Sequence, residues 1–279
     1  AVSNLNRDGK YVPMSHQDKV KVVSFMNCRK QEFVGNKPAL QGITFDFWDT
    51  LFYLGDQFPI FETKRVSRVM QSLKQAGWVI PEETIAHELQ AIRQYTLDLQ
   101  LQEGLDFTPE EQIRELLSRI GVPQTEAIYR AVEPAYMAMF LEEAPPLIDG
   151  VREALTALSP RLKIGLICNT GTSPGQVLRQ LLKRENIDHF FKVLTFSNEV
   201  GVAKPNPKIF ELTLTQLGLE PGVTVHIGDN PISDISGARG AGMKTIWYSH
   251  SLQPPFPECT WRIKSLWELP DLLLPVIKY

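Results

Sequence analysis

Between residues 146 and 279 the sequence switches repeatedly between short apolar runs and amphipathic stretches. This alternation limits the folds open to the chain more than any other feature. Residues 151–158 have helical spacing and lead into the apolar run 162–168. Ser173-Pro174, a capping residue followed by proline, predicts a helix to about Arg184. Residues 191–196 read as strand, 207–217 as helix, 223–227 as strand, 233–241 as helix and 243–248 as strand. Residues 261–263 predict a last edge strand, and 266–274 a closing turn or helix. Short apolar strands joined by helices predict an α/β fold, a parallel sheet with helices on both faces.

An earlier strand is predicted over 43–45, where Gly42 precedes β-prone residues. Asp46 and Asp49 fall where that strand runs out, the edge of open α/β sheets at which ligands bind. About a hundred helical residues follow. Pro59 opens a helix with Ile60, Val66, Val69 and Leu73 on its apolar face, and Gly77 closes it. Pro81-Glu82-Glu83 opens a second, with Ile85, Leu89 and Ile92 on one side. Thr108 and Glu111 have capping-box spacing for a third, which Gly121 stops. A fourth covers 125–140, with a kink or break predicted at Pro134. With no strand among them, residues 54–145 predict an all-helical lobe inserted after the first strand. Pro145-Pro146 marks the return to a core made of 41–53 and 146–279. Residues 1–40 are mostly polar and predict an arm, partly disordered. Its apolar patch at 20–26 would add an edge strand or touch a partner, and Met14 or Met26 would be a native start.

Composition excludes several classes of function. The 279 residues suggest two domains, and 43% hydrophobic with 22% charged residues fits a globular core. A net charge of -3 points away from nucleic acid and anionic membrane surfaces. No apolar run approaches the ~18 residues that cross a bilayer. Cys28, Cys168 and Cys259 are far apart and odd in number, which argues against a disulfide framework or a CxxC metal knot. No secretory signal is visible, so a reducing cytoplasm is the expected setting.

Four predicted strand ends bring polar residues to one edge. Asp46 and Asp49 follow the first strand, and Cys168-Asn169-Thr170-Gly171 follow the second. Lys204 precedes a helix, and Gly228-Asp229, with Asp234 five residues on, follow a later strand. Carboxylates converging with one lysine make an oxygen-rich site for a hard divalent cation, with Mg²⁺ the expected ion. Zinc is not expected, because there is neither a Cys/His cluster nor an HExxH motif.

These residues, in this order, resemble the haloacid dehalogenase superfamily. Asp46-Phe47-Trp48-Asp49-Thr50 is similar in kind to its DxDxT motif, with Trp48 where the second Asp usually stands. Lys204-Pro205 is similar to its basic motif, and Gly228-Asp229 through Asp234 to its GDxxxxD motif. The resemblance covers about residues 42–248, with the helical insertion in the position of that superfamily's cap. It implies a Rossmann-like core, Mg²⁺, and hydrolysis of a small phosphorylated metabolite through an aspartyl-phosphate. It further implies Asp46 as nucleophile and metal ligand and Asp49 as the available acid and base. Lys204 would hold Asp46 and a phosphoryl oxygen. Asp229, Asp234 and the main-chain carbonyl of Trp48 would surround the metal. Cys168, Asn169 or Thr170 would take the place of the usual Ser or Thr that binds phosphate. A monomer or homodimer is expected.

Other readings stay beside this one. A phosphomutase and a 2-haloacid dehalogenase share the fold, and Trp48 keeps the dehalogenase in view. A non-catalytic binding protein is the alternative from another class. Asp234 reads equally as metal shell and helix cap, and Cys168 as a small buried apolar residue. Trp48 reads as packing at the cap hinge and His226 as a structural residue at a strand end. His87, Arg65, Arg68 and Arg93 read as surface residues of the cap, with one of the four, not identified by sequence, a candidate to meet substrate.

Overall fold

The computed structural model describes residues 39–249 and 259–277. Cys28, the 20–26 patch and both candidate start methionines lie outside the described residues. Six parallel strands form one sheet: β1 (Gly42–Phe45), β2 (Lys163–Cys168), β3 (Phe191–Phe196), β4 (Thr224–Gly228), β5 (Lys244–Tyr248) and β6 (Trp261–Ile263). Their spatial order is β3-β2-β1-β4-β5-β6. The chain runs outward from β1 to β3 and then returns to β4 on the other side of β1. The order therefore reverses between β1 and β4, the kind of crevice at which open α/β sheets bind ligands.

Side-chain alternation assigns the two faces. Ile43, Phe45, Ile164, Leu166, Val225 and Ile227 share one apolar cluster. Against it packs the helix Val151–Leu158, through Val151, Ala154, Leu155 and Leu158. Leu178, Leu181 and Leu182 of the helix Gly175–Arg184 join the same cluster. Ile167 points the other way, into a cluster with Ile209, Phe210 and Leu214 of the helix Pro207–Leu217. Buried on both faces, the central strands are nearly continuous apolar runs, as parallel sheets require. Leu40, the last residue of the expected arm, belongs to the core: it is buried, and the amide of the next residue, Gln41, donates to Val223 O at 2.8 Å.

Between β1 and β2 lie four longer helices: α1 (Phe58–Gln75), α2 (Glu82–Asp98), α3 (Pro109–Arg119) and α4 (Glu126–Met137). They have a separate apolar core containing Val69, Leu73, Ile85, Ile92, Ile113, Leu116, Leu117 and Val132. The capping box is present, with Thr108 Oγ1 accepting from Glu111 N and Glu111 Oε2 accepting from Thr108 N. Gly77 and Gly121 follow their helices with φ of 90° and 69°, as helix-stopping glycines do. The helix expected over 125–140 is interrupted. Pro134 lies inside α4, which runs on to Met137; the break comes at Ala138, and helix resumes as Met139–Glu142.

Ser173 does not cap the helix that follows it. Its hydroxyl instead donates to Met137 O at 3.2 Å, tying that loop to the helical insert. Two further contacts join the insert to the sheet edge. Ala203 N–H donates to Gly104 O at 2.9 Å, and Gln112 Nε2 donates to Gly171 O at 3.0 Å. No helix among the described residues is long and apolar enough to cross a membrane.

Candidate active site

Phe45 is in register with Leu166 on one side and Ile227 on the other, so Asp46 emerges between two strand ends. Its amide extends the ladder by donating to Ile227 O at 2.9 Å. Lys204 reaches the same point from the loop before Pro207–Leu217. Its Nζ lies 2.5 Å from Asp46 Oδ1 and 2.7 Å from Asp234 Oδ1. Asn169, just past β2, fixes the lysine's main chain on both sides. Its Oδ1 accepts from Lys204 N and its Nδ2 donates to Lys204 O, both at 2.8 Å. Sequence reasoning assigned Asn169 only to phosphate; here its amide positions Lys204.

Asp46, Asp229 and Asp234 each offer a carboxylate oxygen within 4.8 Å of the others. Glycine at the end of β4 permits this crowding, since a Cβ on Gly228 would sit 2.3 Å from Asp234 Cγ. Asp234 also accepts from Asn230 N at 2.9 Å and lies 3.4 Å from His226 Nε2. The cap of the turn after β4 is Asn230, whose Oδ1 accepts from Ile232 and Ser233. Of the two readings of Asp234, the one that places it among the clustered carboxylates describes its position. His226 lies within β4 and not at its end. Its Nδ1 pairs with Thr44 Oγ1 at 2.8 Å, so the ring links β1 to Asp234.

The electrostatics follow from burial. Desolvation raises the Asp46 carboxyl to about 7; Lys204 opposes this and Asp234 adds to it. Asp229 is likewise pushed well above the usual carboxylate range, by burial first and then by Asp234 and Asp46. Burial is also the largest influence on Asp234. There it is outweighed, and Lys204 and His226 together hold the carboxyl below its ordinary value. Lys204, despite burial, is raised by the two carboxylates it bridges. Crowded acids around one cation leave a deficit of positive charge.

A cavity of about 450 Å³ opens over this cluster, and Asp46, Trp48, Asp49, Asn169, Thr170, Asp229 and Asp234 all line it. Asp49 has a φ of 54°, a left-handed conformation that Asp tolerates better than most residues. Its Oδ1 accepts from the amides of Leu54 and Gly55, both at 2.8 Å. The Trp48 ring packs on Phe47 at 4.7 Å and on Phe140 at 5.2 Å, where the insert returns to the sheet. Thr170 N–H donates to Ser197 Oγ at 2.9 Å. Ser197 and Asp106, which also approaches Thr170, were not singled out from sequence. Nothing in their local pattern separates them from ordinary loop residues.

Two expectations are corrected. Cys168 does not reach the cavity to bind phosphate. Its side chain sits in the apolar core, and burial drives its thiol pKa well up, so it stays protonated. Arg65 is not on the surface, being only 2% exposed and lining the cavity. Arg93 lines it too, half-buried, whereas His87 is exposed and Arg68 is half-buried in a pair with Glu142.

A model of the haloacid dehalogenase-like hydrolase family matches residues 40–242. The chain belongs to that family. Similar curated proteins include the pyrimidine 5'-nucleotidase of Escherichia coli, 39% identical over 142 residues. That match takes in 50% of this chain and 61% of the relative. The phosphoserine phosphatase of Thermus thermophilus is 34% identical over 54% of this chain and 58% of its own length. The chain thus spans about three fifths of each of these two relatives. A glyceraldehyde 3-phosphate phosphatase of Pyrococcus abyssi matches more fully, 30% identical over 75% of this chain and 81% of its own. Among solved structures, a 2-haloacid dehalogenase from Pseudomonas syringae superposes with a TM-score of 0.63 at 20% identity. It covers 85% of this chain and 99% of the other. A HAD phosphatase from Thermococcus onnurineus gives 0.59 at 18% identity, over 86% and 100%. Those two share the fold of this hydrolase, with the same Rossmann-like core.

Proposed function

We propose that the chain is a Mg²⁺-dependent phosphatase that hydrolyses a small phosphorylated metabolite through an aspartyl-phosphate on Asp46. The observation that carries this reading is the buried Lys204 ammonium held between Asp46 and Asp234, two carboxylates that line the cavity with Asp229. A carboxylate approaching a phosphate dianion is repelled twice. At ~4 Å each unit-charge pair is worth about 4 kcal/mol at an effective dielectric near 20, so offsetting positive charge is required. Lys204 supplies part of it and aims one Asp46 oxygen.

The donor set fits a hard cation, because Asp46, Asp229 and Asp234 offer carboxylate oxygens alone. The main-chain carbonyl of Trp48 is the further candidate ligand. When bound, Mg²⁺ supplies positive charge for the phosphoryl oxygens and for the crowded carboxylates. Asp46 bonds to phosphorus as the ester oxygen leaves, forming an acyl phosphate. Asp49, its Oδ1 fixed by two amides, uses Oδ2 to protonate the leaving oxygen and later to take a proton from water. The loop of Asn169, Thr170 and Gly171 lines the cavity and would face the phosphoryl end. Relatives named for phosphatase and nucleotidase activity support the reading. The buried thiol of Cys168, in no disulfide, suits a reducing cytoplasm.

The test is turnover of p-nitrophenyl phosphate with Mg²⁺, abolished by Asp46→Asn. Trp48, two residues after Asp46, favours a second reading, halide displacement. Chloride released from a 2-haloacid, with no phosphatase activity, would establish that reading instead.

A further inference from the structure

The cavity has two differently charged walls. Its acids come from the sheet edge. The helical insert contributes Glu62, Arg65 and Arg93. Arg65 is anchored deep in that insert. Its Nε donates to Tyr136 O at 3.0 Å, its Nη1 pairs with Glu62, and its guanidinium lies 5.8 Å from the Phe140 ring. Nη2 has no partner among the described residues, yet the side chain borders the cavity. Burial lowers the Arg65 pKa to about 10, and the neighbouring positive charge of Arg93 acts in the same direction. Arg93 lies 4.9 Å over the ring of Phe58 and makes no hydrogen bond or ion pair with a described residue. On the insert's wall two guanidinium groups therefore face the cavity beside a single carboxylate, Glu62, while the other four lining carboxylates, Asp46, Asp49, Asp229 and Asp234, belong to the sheet edge. Leaving one positive charge uncompensated at a half-buried wall is costly unless an anion joins it.

We propose that this wall recognises a carboxylate at the far end of the substrate. The substrate class would then be small phosphomonoesters that also carry a carboxylate. The proposal rests on the phosphatase reading and narrows it. A carboxylate fits better than a second phosphoryl group, because one uncompensated positive charge matches a monoanion. Planar guanidinium donors suit a planar carboxylate, and the bond is charge-assisted on both sides. A substrate ending in a neutral hydroxyl would leave Nη2 of Arg65 and the whole of Arg93 without an anion.

The experiment compares 3-phosphoglycerate with glycerol 3-phosphate, which differ in a carboxylate against a hydroxymethyl group. A charge-assisted hydrogen bond is worth about ten- to hundredfold, so kcat/KM should favour 3-phosphoglycerate by that factor, chiefly through KM. Arg93→Gln removes no hydrogen bond of the fold and should bring the ratio close to one. Arg65→Lys keeps the charge and should retain part of the preference. A wild-type ratio at or below one, or a ratio untouched by Arg93→Gln, overturns the proposal. Turnover of p-nitrophenyl phosphate without a carboxylate preference defeats this inference and leaves the phosphatase reading standing. No turnover of any of the three phosphates defeats both.

Discussion

Lys204→Met removes the one ammonium that separates the buried carboxylates at the strand ends. In the wild type that side chain is 2% exposed and contacts Asp46 and Asp234 at 2.5 and 2.7 Å. Methionine nearly preserves the volume, so the main loss is electrostatic. Stripping one partner from a buried ion pair costs about 3–5 kcal/mol. For a domain of this size that is a fall in Tm of about 6–20 °C.

The sign of its pH dependence follows from the carboxyls left behind. With Lys204 present, Asp234 is held below its ordinary value in spite of burial. Without it, burial and the neighbouring acids raise Asp234 and push Asp46 further up. An acid raised in the folded state stabilises at low pH and loses that contribution as pH rises through its folded value. The gap between variant and wild type should therefore be full near about pH 8 and shrink toward about pH 5.5. Urea unfolding of both proteins in chelator at the two pH values measures it. A gap below about 1 kcal/mol at the higher pH, or an equal gap at both, would refute the reasoning.

Other predictions are briefer. Asp49→Asn keeps an oxygen for the amides of Leu54 and Gly55 but cannot transfer a proton. Its Tm should stay close to wild type while kcat falls about 10²–10⁴-fold, and a kcat near wild type would remove Asp49 from the acid/base role. Gly228→Ala places a methyl group 2.3 Å from Asp234 Cγ, and should cost about 1–3 kcal/mol of stability together with most activity. Chelated wild type should lose stability as pH rises from about 4 to 7, because Asp46 is raised to about 7 and Asp229 is raised too. Asp46→Asn should flatten that slope, which equilibrium unfolding across the range would show. Thr108→Ala opens the capping box of α3 and should cost about 1 kcal/mol without touching kcat, as denaturation beside a standard assay would reveal.

Much of this architecture was legible because it rests on local signals. The limits of 151–158, 191–196, 207–217 and 261–263 coincide with the observed elements, each marked by caps, prolines or an apolar period. The strand ends also announced Asp46, Lys204, Asp229 and Asp234, because topology carries such residues to one edge whatever the loops between do. What failed was side-chain direction. Cys168 and Asn169 are adjacent at the end of β2, yet one turns into the core and the other toward Lys204. The sequence shows the strand but not where its alternation stops. Arg65 follows the same rule in reverse. A charged residue one position before Val66 reads as the solvated side of an amphipathic helix. It is buried because Tyr136 O pairs with its Nε from tertiary distance and Glu62 with its Nη1 from the adjoining turn. Ser173 has the form of an N-cap and spends its hydroxyl on another part of the chain.

Whether phosphorus ever bonds to Asp46 is open to direct measurement. Wild-type protein mixed with a ³²P-labelled phosphomonoester and Mg²⁺ is quenched in acid within one turnover and digested, and the labelled peptide is sequenced. An acid-stable, base-labile label on the peptide that contains Asp46, absent from Asp46→Asn, is the predicted result. Label on a different residue, or turnover to free phosphate with no protein-bound phosphorus at any quench time, would contradict it.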